Sequence, residues 1–210
     1  MMNTHPGGGL AFKTVFEMCS GSRLVTFAFI ILATLIAAGC GSQAGNQETA
    51  SLPSQRGGLS GSQAPDVLLE AYQGADVLGG ERVRLADLTG QGKPVVLNFW
   101  AGLCPPCRAE MPDFEKVHQQ FHGRVLIVGA DIGPYVGLGS TEDGKALLRQ
   151  LKVTYPAGLA ADGSVVRAYG ILGMPTTVFI KPDGTVFRSH SGLLNEAQLT
   201  SAVKELLKAS

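Results

Sequence analysis

The chain has 210 residues, equal numbers of acidic and basic side chains, and 45% hydrophobic residues. This length and apolar content fit one globular domain with an appendage. The neutral charge balance gives no electrostatic basis for binding nucleic acid, which requires a basic surface.

The first distinctive segment is an uncharged apolar stretch at residues 24–38, LVTFAFIILATLIAA. Its length is that of the apolar core of a signal peptide and is short for a full membrane span. Arg23 precedes it, and the small residues before Cys40 resemble a bacterial lipobox, with Ala37 in place of the usual Leu. We therefore predict that residues 1–39 are a signal peptide and that Cys40 is a lipid attachment site, with an uncleaved membrane anchor as the alternative. Both alternatives place the following domain outside the cytoplasmic membrane.

Residues 40–64 are rich in Gly, Ser, Gln and Ala and have no apolar periodicity. This composition predicts a flexible tether, which as a random coil would span about 27 Å. The pattern changes at Pro65, and we predict a single domain over residues 65–210.

Within this domain, short apolar runs alternate with helical patterns. The strand-like segments are residues 67–72, 80–88, 95–100, 124–132, 155–160, 176–180 and 185–190. The helical segments are residues 107–121, 140–152, 162–169 and a last helix capped by Asn195 and Gln198. The last two strands flank the turn sequence KPDG and predict a β-hairpin. The order predicts an α/β fold in which a central mixed sheet is covered by helices on both faces.

The sequence Cys104-Pro105-Pro106-Cys107 directly follows the buried strand at 95–100 and begins the next helix. A helix N-terminus carries partial positive charge and lowers the pKa of a thiol placed there. We therefore predict that Cys104 is the nucleophile and that Cys107 resolves the mixed disulfide. Pro105 and Pro106 have no backbone N–H, so the Cys104 thiolate loses two hydrogen-bond donors. From this loss we predict a more reducing couple than other C-x-x-C sequences would give.

Two other uses of these cysteines fit the sequence less well. His118 and His122 complete a spacing close to that of a zinc finger, but one helix would place His118 about 16 Å from Cys107. We therefore predict no metal site and expect both histidines on a solvated helix face. The peroxiredoxin pattern P-x-x-x-T-x-x-C fails, because its Thr and Pro positions hold Ala101 and Leu97.

Two stretches resemble a known family: NFWAGLCPPCRAEMP at residues 98–112 and GMPTTVFIKPDG at residues 173–184. They are similar to the membrane-anchored, extracytoplasmic thioredoxin-like reductases of the TlpA/ResA type, which are allied to the disulfide reductases of cytochrome c maturation. The resemblance covers residues 65–208. It implies a thioredoxin fold with an N-terminal strand extension and the insert of this family at about residues 139–160.

The resemblance also implies which residues surround the cysteine pair. Pro175 would be a cis-proline that faces the pair, and the backbone of Met174 would hold an extended substrate strand. The other expected substrate contacts are Trp100, Pro105, Pro106 and Thr176, with Trp100 serving chiefly as a core aromatic beside the site.

Three further positions affect the expected chemistry. In this family a Glu three residues after the second Cys lies near the pair, so Glu110 is the candidate for proton transfer. The alternative is a solvated Glu in the first helical turn, stabilised by the helix dipole. Asn98 stands where thioredoxin has a buried Asp, and an amide cannot accept the proton of the buried thiol. Leu103 replaces the Trp that most relatives have before the first Cys, which changes the rim of the reactive face.

Together these features predict a membrane-tethered thiol–disulfide oxidoreductase that reduces extracytoplasmic disulfides. The resemblance suggests apocytochrome c or a copper-site protein as the target and an integral membrane thiol carrier as the electron donor. No cofactor is needed, because the cysteine pair is the redox centre. The alternatives are an oxidant that inserts disulfides and, from another class, a copper-binding chaperone.

Overall fold

The structure, a computed structural model, describes residues 59–210. Cys40, the apolar segment 24–38 and the tether up to residue 58 lie outside the described residues, so the predictions made for them stay predictions. No helix within residues 59–210 is both long and apolar enough to cross a membrane.

The described residues form seven strands and seven helices in an α/β order. The strands are β1 (Leu68–Gln73), β2 (Arg82–Arg84), β3 (Val95–Trp100), β4 (Leu126–Asp131), β5 (Ala157–Ala160), β6 (Thr176–Ile180) and β7 (Val186–Ser191). The helices are α1 (Ala75–Leu78), α2 (Leu85–Thr89), α3 (Pro105–Gln120), α4 (Gly133–Val136), α5 (Thr141–Leu151), α6 (Ser164–Ala168) and α7 (Glu196–Lys208).

All seven strands belong to one mixed sheet, in the order β2-β1-β5-β4-β3-β6-β7. β4 lies parallel to both β3 and β5, whereas the other neighbouring strands are antiparallel. Every residue of β3 is buried, as its continuous apolar run predicts for a central strand. The chain leaves the carboxyl end of β3 directly into the Cys104–Cys107 segment, so the centre of the sheet positions the cysteines.

Helices cover both faces of this sheet, which confirms the predicted fold class. One apolar cluster joins the sheet to α3, α5 and α7, with Met111, Phe114 and Val117 contributed by α3. The other cluster lies beneath α1, α2 and α6. Successive residues of β3 therefore alternate between two buried environments, and Asn98 points toward the α3 side together with Val96 and Trp100.

The starts of α5 and α7 follow from local sequence. Ser140 and Asp143 form a reciprocal capping box at α5. Asn195 and Gln198 form another at α7. Each box satisfies backbone N–H groups that have no partner within the helix, which is why these two helix starts could be predicted.

Short helices account for the main differences from the predicted elements. The predicted strand 80–88 is a strand only at β2, and its second half is α2, where Leu85 and Leu88 face the core at helical spacing. The four-residue helices α1 and α4 were not predicted. Helices of one turn are too short to show a periodic pattern in the sequence.

The structured domain begins before Pro65, within the segment predicted to be a tether. The N–H of Gly61 donates to the carbonyl of Val186, and the N–H of Val186 donates to that of Ser62. Gln63 forms a further β-bridge with Thr185. These residues pair with the exposed edge of the β6–β7 hairpin, so backbone pairing orders a segment that its polar composition alone would leave flexible.

Candidate active site

The two cysteines of the C-x-x-C sequence lie at the first turn of α3 and are joined in a disulfide. Cys104 is the N-cap residue of α3, and the N–H of Cys107 donates to Cys104 Sγ over 3.3 Å. The sulfur atoms are 2.04 Å apart. Cys104 is 3% exposed and lines a surface groove, whereas Cys107 is fully buried and does not line that groove.

A groove of about 360 Å³ leads to Cys104. Its walls include Pro105, Pro106, Val136, Leu138, Leu172 and Met174, and no charged side chain lines it among the described residues. The Met174–Pro175 bond is cis, as the resemblance implied. Thus Pro105, Pro106 and Met174 line the groove beside the disulfide, as expected for substrate contacts.

Two of the expected substrate contacts do not line this groove. Trp100 is fully buried and belongs to the apolar cluster beneath α3. Thr176 is 3% exposed, and its hydroxyl donates to the carbonyl of Gly173 over 2.8 Å. Both side chains are therefore structural supports here, because they face the core or the backbone beside the site.

Glu110 is fully buried, so the alternative of a solvated helix-turn carboxylate is wrong. Asn98 Nδ2 donates to Glu110 Oε1 over 2.8 Å, and the N–H of Leu194 donates to Glu110 Oε2 over 3.0 Å. Asn98 Nδ2 also donates to Thr177 Oγ1. Burial raises the pKa of Glu110 to about 7, although the two hydrogen bonds oppose this effect. A carboxyl group that titrates near neutral pH, one helical turn after Cys107, can take up and release a proton.

Four buried polar atoms on the α3 side of the sheet have no hydrogen-bond partner within residues 59–210: Asn98 Oδ1, Trp100 Nε1, His118 Nδ1 and the Tyr155 hydroxyl. Gly129 lies opposite Asn98 in the sheet. A Cβ at Gly129 would come within 2.7 Å of Trp100 Nε1 and 3.2 Å of the Tyr155 ring. This glycine thus lets two large aromatic side chains pack beside Asn98.

Sequence reasoning missed a second buried carboxylate, Asp131, at the end of β4. Asp131 Oδ1 accepts the N–H of Gly133 over 2.8 Å, and Oδ2 accepts the Tyr72 hydroxyl over 3.1 Å. Burial raises the pKa of Asp131 to about 6, and the negative charge of Asp143 acts in the same direction. The available signal was an acidic residue at the end of a buried strand.

Asp131 supports one wall of the groove through the backbone. It holds the N–H of Gly133 at the start of α4, and α4 and the residues after it supply Val136 and Leu138 to the groove. The carbonyl of Leu138 accepts the N–H of Leu103, the residue before Cys104, over 2.8 Å. A continuous set of contacts therefore links Asp131 to the loop that carries the cysteines.

The remaining predicted positions lie as follows. Leu103 is 61% exposed at the rim of the site. His122 is exposed, as predicted, but His118 is half-buried and packs against the Tyr155 ring, which corrects the prediction of a solvated face for that residue. No group of three or more His, Cys, Asp or Glu side chains able to hold a metal ion occurs within residues 59–210.

Comparison with known proteins agrees with this site. Residues 60–189 match the AhpC/TSA family. The chain is 32% identical over 151 residues to the thiol-disulfide oxidoreductase ResA of Halalkalibacterium halodurans, which covers 70% of this chain and 77% of that protein.

Solved structures give the same result. A putative thiol:disulfide interchange protein DsbE from Chlorobium tepidum matches with a TM-score of 0.57 and 26% identity, covering 71% of this chain and 96% of that one. The exposed lipoprotein thioredoxin Etrx1 of Streptococcus pneumoniae matches with a TM-score of 0.56 and 27% identity, covering 68% of this chain and 100% of that one.

The fold and the disulfide at a helix N-terminus define a thioredoxin-like thiol–disulfide oxidoreductase. The chain belongs to the AhpC/TSA family, with relatives of the ResA and DsbE type. The predicted resemblance, fold and enzyme class are confirmed.

Proposed function

We propose that this protein reduces disulfides in extracytoplasmic proteins through Cys104 and Cys107. In the dithiol form, the Cys104 thiolate attacks one sulfur of the substrate disulfide, which forms a mixed disulfide and releases the other sulfur as a thiolate. The Cys107 thiolate then attacks Cys104 Sγ, which forms the Cys104–Cys107 disulfide and releases the second substrate thiol. Two electrons pass to the substrate, and Glu110 takes up the proton of Cys107.

The observation that carries this proposal is the position of Cys104 at the helix N-cap, at the base of the groove, with Cys107 buried behind it. Cys104 lines the groove whereas Cys107 does not, which supports Cys104 as the nucleophile. Cys104 Sγ accepts the Cys107 N–H. Pro105 and Pro106 supply no N–H, so the thiolate is stabilised less than in other C-x-x-C sites. A less stable thiolate form supports reduction of substrates as the direction of electron flow.

The N-terminal sequence and the resemblance support our proposals for the location and the partners. We propose that Cys40 carries a lipid that holds the domain at the outer face of the cytoplasmic membrane. The similarity to a solved structure described as an exposed lipoprotein supports this location. An integral membrane thiol carrier would return the disulfide to the dithiol, and apocytochrome c or a copper-site protein would be the substrate.

The test combines three measurements on the purified protein. The reduced wild type should reduce insulin disulfides, and Cys104→Ser should not. The midpoint potential should rise when Pro105 and Pro106 are replaced by Gly-His, because two N–H donors return to the thiolate. In cells, Cys107→Ala should trap extracytoplasmic proteins as mixed disulfides through Cys104. A wild-type potential in the range of strong oxidants, about −120 mV, would replace the reductase proposal with disulfide insertion.

A further inference from the structure

A second cavity, of about 300 Å³, lies at the end of the sheet opposite the cysteines. Elements from both faces of the sheet meet there: α1 and α2 contribute Val77 and Leu88, and the end of α3 contributes His118. His118 follows Cys104 by 14 positions, which places it about 21 Å further along the helix axis. We call this cavity the distal pocket. A small molecule bound in it would not reach the cysteines.

The walls of the distal pocket are mostly aliphatic. Leu88 is fully buried, and Val125, Leu126 and Pro156 extend the same apolar lining. Val77 also lines the pocket but is 49% exposed, so a bound apolar group would remove it from water. Sites for small molecules combine such walls with a few polar groups that orient the ligand, and this cavity has the volume of a small one.

The charged lining of the distal pocket has one sign. Lys93 is exposed and makes no ion pair within residues 59–210. His118 and His122 are the other basic side chains, and no acidic side chain lines the pocket among the described residues. Glu115, earlier on α3, lies outside the lining, and its carboxylate accepts the N–H of Thr154 over 2.7 Å. A negatively charged ligand would therefore meet an ammonium group and no acid in the pocket wall.

His118 adds a hydrogen-bond donor to the lining. Its Nδ1 is buried without a hydrogen-bond partner within residues 59–210. Burial lowers the pKa of His118, and His122 acts in the same direction whereas Glu115 opposes it, so the ring is neutral at neutral pH. A neutral imidazole carries one proton, and a buried N–H without a partner is rarer than a buried acceptor without one. We therefore assign the proton to Nε2, which makes this nitrogen a donor.

We propose that the distal pocket binds a small monocarboxylate with an apolar body. The carboxylate pairs with Lys93 and accepts the Nε2–H of His118, while the apolar body contacts Val77 and Leu88. One ammonium group beside a neutral imidazole favours a single negative charge, so a carboxylate fits better than a phosphate monoester with two. This inference goes beyond the proposed function and does not depend on it, because no step of disulfide exchange involves the distal pocket.

The probe for this site is 2-naphthoate, titrated calorimetrically into the full-length protein in its disulfide form. At about pH 8, where ordinary histidines are neutral, we expect one molecule to bind per chain with a Kd of about 0.1–1 mM. The uncharged 2-naphthamide should bind about tenfold more weakly, because it loses the ion pair and the charge-assisted hydrogen bond. 2-Naphthyl phosphate should bind no more tightly than 2-naphthoate. High salt should weaken the binding of 2-naphthoate but not that of the amide.

Substitutions in the lining locate the ligand. Lys93→Gln should weaken the binding of 2-naphthoate about threefold and remove its dependence on salt. His118→Phe keeps an aromatic ring against Tyr155 but has no N–H, and it should weaken binding about fivefold. The matched controls Lys204→Gln and His190→Phe alter residues outside the distal pocket and should bind as the wild type does.

Imidazole ¹⁵N NMR gives a readout that does not depend on affinity. The free protein should show His118 as the Nε2–H tautomer. Addition of 2-naphthoate should shift the signals of His118 and His122, which line the distal pocket, and leave those of His190 in place. A proton on Nδ1 of His118, or equal shifts at His190, would contradict the assigned contacts.

The remaining outcomes separate this site from the groove over Cys104. Insulin reduction should continue at saturating 2-naphthoate. Equal affinity for the acid and the amide, unchanged binding in Lys93→Gln, or no binding at up to about 10 mM would overturn the inference. Inhibition of insulin reduction to the same extent in the wild type and in Lys93→Gln would place the ligand at the groove and would also overturn it. Failure of the wild type to reduce insulin would overturn only the proposed function.

Discussion

Glu110 and Asp131 are two buried carboxylates on the same side of the sheet, but they lie on different elements and accept hydrogen bonds from different groups. Glu110 lies on the helix that carries the cysteines and accepts hydrogen bonds from Asn98 and the N–H of Leu194. Asp131 lies at the end of β4 and accepts hydrogen bonds from Tyr72 and the N–H of Gly133. Burial raises the pKa of both groups, so their titration alone does not distinguish them.

The difference between the two sites is their connection to the reacting sulfurs. Glu110 comes three residues after Cys107, whereas Asp131 is connected to the cysteine loop through the backbone of α4 and Leu138. We therefore expect Glu110 to affect the rate of exchange and Asp131 to affect how well the groove is formed. A shifted pKa marks a functional site only when geometry also places the group at the chemistry.

The largest expected effect is on exchange rate in Glu110→Gln. The amide keeps the size of the side chain but cannot take the Cys107 proton, so we expect the limiting rate of insulin reduction at neutral pH to fall about 100-fold. The wild-type rate should rise as pH passes through about 7, where Glu110 ionises. That inflection should be absent in the variant. Glu115→Gln, on the same helix, is the control, and an equal loss there would remove the special role of Glu110.

The next effect is on stability, in Gly144→Ala. A Cβ at Gly144 would lie 2.2 Å from Asp131 Oδ2, so α5 or the carboxylate must move. We expect a loss of about 2 kcal/mol in the free energy of unfolding, typical of overpacking. Urea unfolding measures it, and Ala146, an exposed α5 position already occupied by alanine, can be changed to Gly as a comparison. A stability equal to that of the wild type would show that Asp131 is not tightly enclosed.

Both carboxylates should also make stability depend on pH. Their pKa values are higher in the folded protein than in the unfolded chain, so the folded state binds protons more tightly and stability falls as pH rises. The fall should run from about pH 4.5 to 7 for Glu110 and from about 3.8 to 6 for Asp131, which faces Tyr72 and Asp143. Each pKa lies more than two units above its usual value, so we expect each group to contribute about 3 kcal/mol. Glu110→Gln should flatten the upper part of the profile and Asp131→Asn the lower part, measured by urea unfolding across pH.

The smallest effect is on substrate binding in Asp131→Asn. The amide oxygen can still accept the N–H of Gly133, so α4 stays formed but is held by a weaker, uncharged hydrogen bond. We expect KM for insulin to rise about threefold with kcat unchanged, since a weakened positioning contact costs less than about 1 kcal/mol. Asp87→Asn, at an exposed position, is the control. A fall in kcat without a change in KM would contradict this prediction, because it would mean that Asp131, like Glu110, affects the rate of exchange.

Much of this protein could be predicted from local sequence. The strand at 95–100, the helix after Cys104 and the capping boxes at Ser140 and Asn195 depend on neighbouring residues, so a sequence pattern reports them directly. The position of the cysteine pair at the start of a helix also depends on neighbouring residues and could be predicted in the same way. Its thiol chemistry and the fold class followed from the order of these elements and from two motifs.

Tertiary structure alone decided the environment of the site. The sequence did not decide whether Glu110 is buried or solvated, because the groups that contact it, Asn98 and the N–H of Leu194, are distant in sequence. Asp131 was not predicted as a buried carboxylate, because its partner Tyr72 is also distant in sequence. Residues 59–64 joined the domain because β7 offered an unpaired edge. Burial and charge pairing depend on residues distant in sequence, and for that reason they were set by the packing of the whole domain.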